Sequence, residues 1–246
     1  MKNNLARIGL LLLVSIQWVC AQEATDGKRE TAGRKAWIFA TTMPDDVDNP
    51  LKVLAGEKLQ EVRIYSRSMG QPVELDETGM VRAVKEVPGE DGKMVYENLS
   101  QTQVPEGMRE ALIVLVPKKA GADGLRFKSK VIDMSKFKRG GCLYVNLVPT
   151  KIGVTLGDLK TVIAPGKMEF INPLGNKDKA VKQVQFFYES PKGDKGEWKL
   201  MTSGKMAIYK SRREICVFFY NEQIENVDFR GIPFMIPEPR PQPKKP

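Results

Sequence analysis

Short runs in which every second residue is apolar, separated by Gly, Pro, Asp and Asn, recur through the chain and leave it few folds to choose from. Val62 and Ile64 alternate with Arg63, Tyr65 and Arg67, and Leu143, Val145 and Leu147 alternate with Cys142, Tyr144 and Asn146. A period of two places successive side chains on opposite faces of an extended strand, so each run predicts a strand with one buried face. The runs "ALIVLVP" (111–117) and "ICVFFY" (215–220) are apolar on both faces and predict central strands. No window of 12 or more residues carries a helical stripe; the nearest, 48–61, is interrupted by Pro50 and Gly56. A dozen such runs between positions 36 and 222 predict an all-β protein of one or two immunoglobulin-like antiparallel β-sandwiches following an N-terminal signal peptide.

The N-terminus orders a basic end (Lys2, Arg7), an unbroken apolar stretch from Ile8 to Val14, and short residues near position 20. That layout is a secretory signal, and its apolar part is far shorter than the ~20 residues of a membrane-spanning helix. Val19 and Ala21 suit the small-residue positions before a cut, so cleavage is expected after Ala21. The alternative is a lipoprotein anchored at Cys20, but Gln17, Trp18 and Val19 are a poor lead into a lipid-bearing cysteine. The expected organisation is a signal peptide at 1–21, a flexible polar lead-in at 22–34, β units at 35–118 and 119–232, and a Pro-rich tail at 233–246. The small, Gly-containing "KKAGADG" (118–124) marks the divide between the units. Six prolines after residue 232 keep the tail out of any sheet interior and favour an extended polyproline-type segment.

Formal charge falls from +9 to +7 once Lys2 and Arg7 leave with the signal. The basic residues are spread rather than clustered, which argues against a nucleic-acid groove. No later stretch is apolar and long enough to span a membrane. Two cysteines remain, Cys142 and Cys216; they form either one disulfide, as export compartments allow, or two buried thiols on separate strands. Closing the 142–216 loop would be worth ~4.5 kcal/mol on the loop-entropy account.

There is no histidine in the 246 residues, and that removes more chemistry than any motif adds. Ser-His-Asp and Cys-His hydrolysis, His-ligated zinc proteases and blue-copper sites all need imidazole. A His-independent hydrolase with paired carboxylates, such as Glu74 and Asp76 on one strand face, stays as the least favoured class. The Asp45, Asp46, Asp48 and Asn49 cluster offers oxygen ligands but lacks the calcium-loop spacing, and such residues are ordinary turn formers. "SKFK" (135–138) repeats the Ser-x-x-Lys of penicillin-recognising enzymes without their other two motifs. Tyr65, Tyr144 and Tyr209 read as exposed aromatics on strand faces and form the candidate binding surface; Trp198, alternating with Leu200, is expected in the core.

Within 107–171, Ile132-Asp133-Met134-Ser135, Phe137, Gly140, Asn146-Leu147, Gly157 and Pro165-Gly166 follow one another in order. In these elements the segment resembles a group of exported bacterial β-sandwich proteins of unknown function. The resemblance implies a fold and an exported address and brings no catalytic residues. The reading is an exported, non-catalytic binding or assembly module of the bacterial envelope, without catalytic, metal or cofactor residues. Its expected location is periplasmic or extracellular, and its partner is another envelope protein or, alternatively, a glycan, as for a carbohydrate-binding module. Intact mass of the exported protein checks the first step. A chain starting at Gln22 is expected, and one starting at a lipidated Cys20 would replace the soluble form by an anchored one.

Overall fold

The computed structural model describes residues 33–119, 121, 123–190 and 196–235. The expected signal peptide, Cys20, most of the lead-in and the tail beyond Met235 lie outside the described residues. Alternating patterns become strands nearly everywhere. In chain order these are β1 (Lys35–Ala40), β2 (Leu51–Ala55), β3 (Lys58–Val62), β4 (Val73–Glu74), β5 (Met80–Pro88), β6 (Met94–Gln103), β7 (Glu110–Pro117) and β8 (Phe127–Asp133). There follow β9 (Cys142–Asn146), β10 (Ile152–Leu156), β11 (Leu159–Ile163), β12 (Met168–Ile171), β13 (Lys179–Glu189), β14 (Trp198–Tyr209), β15 (Arg212–Asn221) and β16 (Asn226–Met235). A single 3₁₀ turn, Met134–Lys136, is the one helical element among the described residues, and Asp133 caps it by accepting from the Ser135 amide.

Four strands, β2, β6, β10 and β16, fall outside the dozen runs of the sequence reading. β6 is largely polar and half exposed, β10 is short and contains Gly153, and β16 contains Gly231 and Pro233. Pro233 is tolerated because β16 is an edge strand, where a missing amide donor need break no ladder bond.

The strands form four sheets of four, ordered β3-β2-β5-β6, β4-β1-β7-β8, β12-β9-β15-β16 and β11-β10-β13-β14. Three apolar clusters lie between them in succession. The first joins Leu51, Val53, Val81 and Leu99 to Ile38, Ile113, Leu115 and Phe127, and so binds the first outer sheet to the first inner one. The second joins Phe39, Leu112 and Val114 to Leu143, Val145, Ile215 and Val217, and binds the two inner sheets to each other. The third joins Tyr144, Cys216 and Phe218 to Ile152, Val154, Leu156 and Phe186, and binds the second inner sheet to the second outer one. The period of two explains how: on β9, Leu143 and Val145 enter the middle cluster while Cys142 and Tyr144 enter the third. All five β9 residues are therefore buried, where one exposed face was expected. Strands β7 and β15 are interior to their sheets, as their doubly apolar runs predict.

The order of strands repeats. β1–β8 and β9–β16 have the same pairings, including a parallel pair between the first and seventh strand of each half (β1 with β7, β9 with β15). Gly56 and Gly157 both take φ +60° in the matching two-residue hairpins, a conformation glycine adopts without steric cost. Register breaks also match, at Ala83/Val84 in the first half and Phe186/Phe187 in the second. Strands β7 and β8, on either side of 118–124, pair within one sheet, so the change from one half to the other falls between Asp133 and Cys142.

The middle cluster makes a testable demand. Phe39 is 2 % exposed within it, and Phe39→Ala is expected to lower unfolding free energy by about 3–5 kcal/mol in urea titration. Leu59→Ala, on the exposed side of β3, should change it by about 0.5 kcal/mol or less.

Candidate binding surface

With both inner sheets covered, ligand access is left to the two outer faces, the strand edges and the loops. On the second outer sheet, strand register sets the side chains in rows. Val162, Gly153, Phe187 and Leu200 stand side by side across β11, β10, β13 and β14. The next row along the same face is Lys160, Thr155, Gln185 and Ser203. An apolar row thus lies beside a row of hydrogen-bonding groups, about 7 Å away at two residues' rise. Gln185 donates to the Ser203 hydroxyl at 3.4 Å, and Gln183 donates to it at 3.1 Å.

Gly153 opens a groove in the apolar row. A Cβ at that position would come within 3.2 Å of the Trp198 ring and 3.5 Å of Phe187. With glycine there, the indole settles over the strand, and a groove of about 410 Å³ forms between Trp198, Phe187, Val162, Thr155 and Lys160. Trp198, Val162 and Leu200 are 41 %, 57 % and 55 % exposed. Trp198 is therefore a surface residue, where the sequence reading put it in the core: alternation with Leu200 fixed a shared face, and that face points outward. Glu189 is the only acidic side chain on these four strands, and Lys151 pairs with it at 3.3 Å.

The first half shows that the groove is not demanded by the fold. Counted from the matching hairpin glycines, Lys52 occupies the place of Gly153 and Glu61 that of Val162, and Tyr96 corresponds to Trp198. Lys52 is ion-paired with Glu86 across the face, and that bond raises the lysine's pKa. The same site is bridged by charge in one half and left open and apolar in the other.

The three tyrosines do not form one surface. Tyr65 is 46 % exposed and lines a depression with Arg63 and Arg230. Tyr144 is 1 % exposed and belongs to the third core cluster, because β9 is covered on both faces; its assignment to an exposed surface is corrected accordingly. Tyr209 is half-buried and has its ring near the Lys179 ammonium at 5.0 Å and the Arg212 guanidinium at 4.7 Å, a cation–π arrangement that occupies the ring.

Cys142 and Cys216 are buried free thiols on the adjacent parallel strands β9 and β15, offset by two register positions. Burial, with help from the nearby Glu214, pushes the Cys142 thiol up to about 12. Burial likewise raises Cys216 and Tyr144, each further raised by the neighbouring thiols. The Tyr144 hydroxyl lies beside Cys142 without a well-formed hydrogen bond. In the acid-rich loop, Asp46 pairs with Arg126, and the Asn49 side chain bonds both the amide and the carbonyl of Ile64. No group of three His, Cys, Asp or Glu side chains suited to a metal ion occurs among the described residues. Of the carboxylates proposed as a pair, Glu74 is ion-paired with Lys58 and Asp76 accepts from Thr78 and the Gly79 amide.

The fold and surface define a β-sandwich-like, all-β protein with one bare, aromatic-lined outer face. No family model matches the chain, and no curated protein matches it significantly. No helix among the described residues is long and apolar enough to cross a membrane.

The buried thiols give a pH prediction. The folded chain holds their protons more tightly than the unfolded chain, so their contribution is complete below the usual thiol range and is lost as pH rises toward about 12. Urea midpoints should be level from neutral pH to about pH 9 and then fall, and a Cys142→Ala, Cys216→Ala variant should fall less steeply.

Proposed function

We propose that the protein is an exported, non-catalytic binding module of the bacterial envelope, built from two immunoglobulin-like sandwiches, that holds a glycan on its second outer sheet. The N-terminal signal layout supports the export, and the repeated eight-strand halves support the sandwich assignment. One observation carries the ligand class: an exposed tryptophan over a glycine-floored groove, with an apolar row against a row of donors and acceptors. A sugar ring has the same two-sided character, with C–H faces that stack on aromatic rings and hydroxyls at its rim. An envelope protein as partner is the second reading, favoured by Leu200 and Val162, which extend the apolar area beyond a single ring.

Retention of the protein on insoluble envelope polysaccharide, with release by soluble oligosaccharide, tests the reading. Trp198→Ala should weaken retention about tenfold while leaving the thermal midpoint close to wild type, since the ring is 41 % exposed. Gly153→Lys, which rebuilds the first half's arrangement, should abolish it. Retention unchanged in both variants overturns the assignment. A single cross-linked protein partner, lost on Trp198→Ala and with no glycan retained, would replace the glycan by the protein reading.

A further inference from the structure

Two arginines from opposite halves of the chain line one depression, which shares no lining residue with the Trp198 groove. Arg63 follows β3 in the first half, and Arg230 lies on β16 in the second. The depression has a volume of about 650 Å³, and Tyr65, Asn49, Ser66 and Gln223 complete its polar wall. None of its lining residues is acidic. Neither arginine has an ion pair among the described residues; Arg230 donates a long bond of 3.4 Å to the Ala40 carbonyl.

Two cations of the adjoining depression are paired instead. Arg126, in the adjoining depression that shares Thr42, Met43 and Gln223, is neutralised by Asp46, and Lys118 there is neutralised by Asp123. Like charges brought together without a counter-ion repel, and a guanidinium's planar fork fits a carboxylate or phosphate through two parallel bonds. The exposed Tyr65 ring supplies a flat face beside them, and Asn49 is held in place by its two bonds to Ile64.

We propose that this depression is a binding site for a ring-bearing oxyanion, a sugar acid or a sugar phosphate, whose oxyanion meets Arg63 and Arg230 while its ring lies on Tyr65. It is separate from the second outer sheet and does not depend on the reading given to that face. Because the two guanidiniums belong to different halves, occupancy would also bridge the two halves.

Calorimetric titration of the full chain with galacturonate, glucose 6-phosphate and, as the neutral counterpart, galactose tests the proposal. Either oxyanion is expected to bind, with affinity falling as salt rises, and galactose is expected not to bind. Binding of galacturonate alone identifies a carboxylate source, and binding of the phosphate alone identifies a phosphorylated one. Arg63→Gln and Arg230→Gln should each weaken the bound oxyanion about tenfold or more. Tyr65→Ala should weaken it less, and Leu59→Ala, on the exposed side of β3, should leave it unchanged. All three side chains are at least partly exposed, so thermal midpoints should stay near wild type. Equal binding of galactose, no oxyanion binding at millimolar concentration, or unchanged affinity in both arginine variants overturns the proposal.

Discussion

Contact between the two inner sheets is the constraint on which the rest of the molecule depends. Each half could fold a sandwich around its own cluster, but Phe39, Leu112 and Val114 would then face water opposite Leu143, Val145, Ile215 and Val217. Burying such side chains contributes roughly 1.5–3 kcal/mol each, so the two faces close on one another and the halves become one four-layer stack. The Trp37 and Phe234 rings meet edge-on across this contact at 4.9 Å. The consequence for function is subtractive: both faces of each inner sheet disappear into the interior, and the two outermost faces remain for partners beside the strand edges and loops.

Those two faces carry the same architecture with opposite chemistry. Matching hairpins, matching register breaks and matching strand orders make a residue-by-residue comparison within one chain possible. Lys52, Glu61 and Glu86 close the first face with charge, where Gly153, Val162 and Glu189 leave room beside Trp198 on the second. Glycine weakens a strand by lost entropy and packing, so its presence within β10 makes structural sense where another group needs the space. Here that group is the indole, and the groove beside it is the by-product that a ligand can use.

Strand positions were legible in the sequence because alternation is set by the pleat itself, and the doubly apolar runs at 111–117 and 215–220 did mark interior strands. Alternation could not say which face is which. Tyr144 and Trp198 both sit in alternating runs, yet one is buried because a further sheet covers β9 and the other is exposed because nothing covers β14's outer side. The repeat of eight strands left little mark in the residues, since outer-sheet strands such as β6 tolerate almost any polar side chain. It is preserved in backbone features, the φ +60° glycines and the bulges, more than in side-chain identity. Gly153 interrupts the apolar pattern that would have marked β10, and its meeting with Trp198 is not legible because their proximity depends on register across three strands.

The central claim is that partner contact falls on the second outer face and not on its charged counterpart. A backbone chemical-shift map of the isotopically labelled protein, with and without an oligosaccharide released from the retained polysaccharide, tests it most directly. The account predicts shifts at Gly153, Thr155, Lys160 and Val162, with Lys52, Leu54 and Glu61 unmoved. Shifts confined to the first outer sheet, or spread evenly over both, would contradict it.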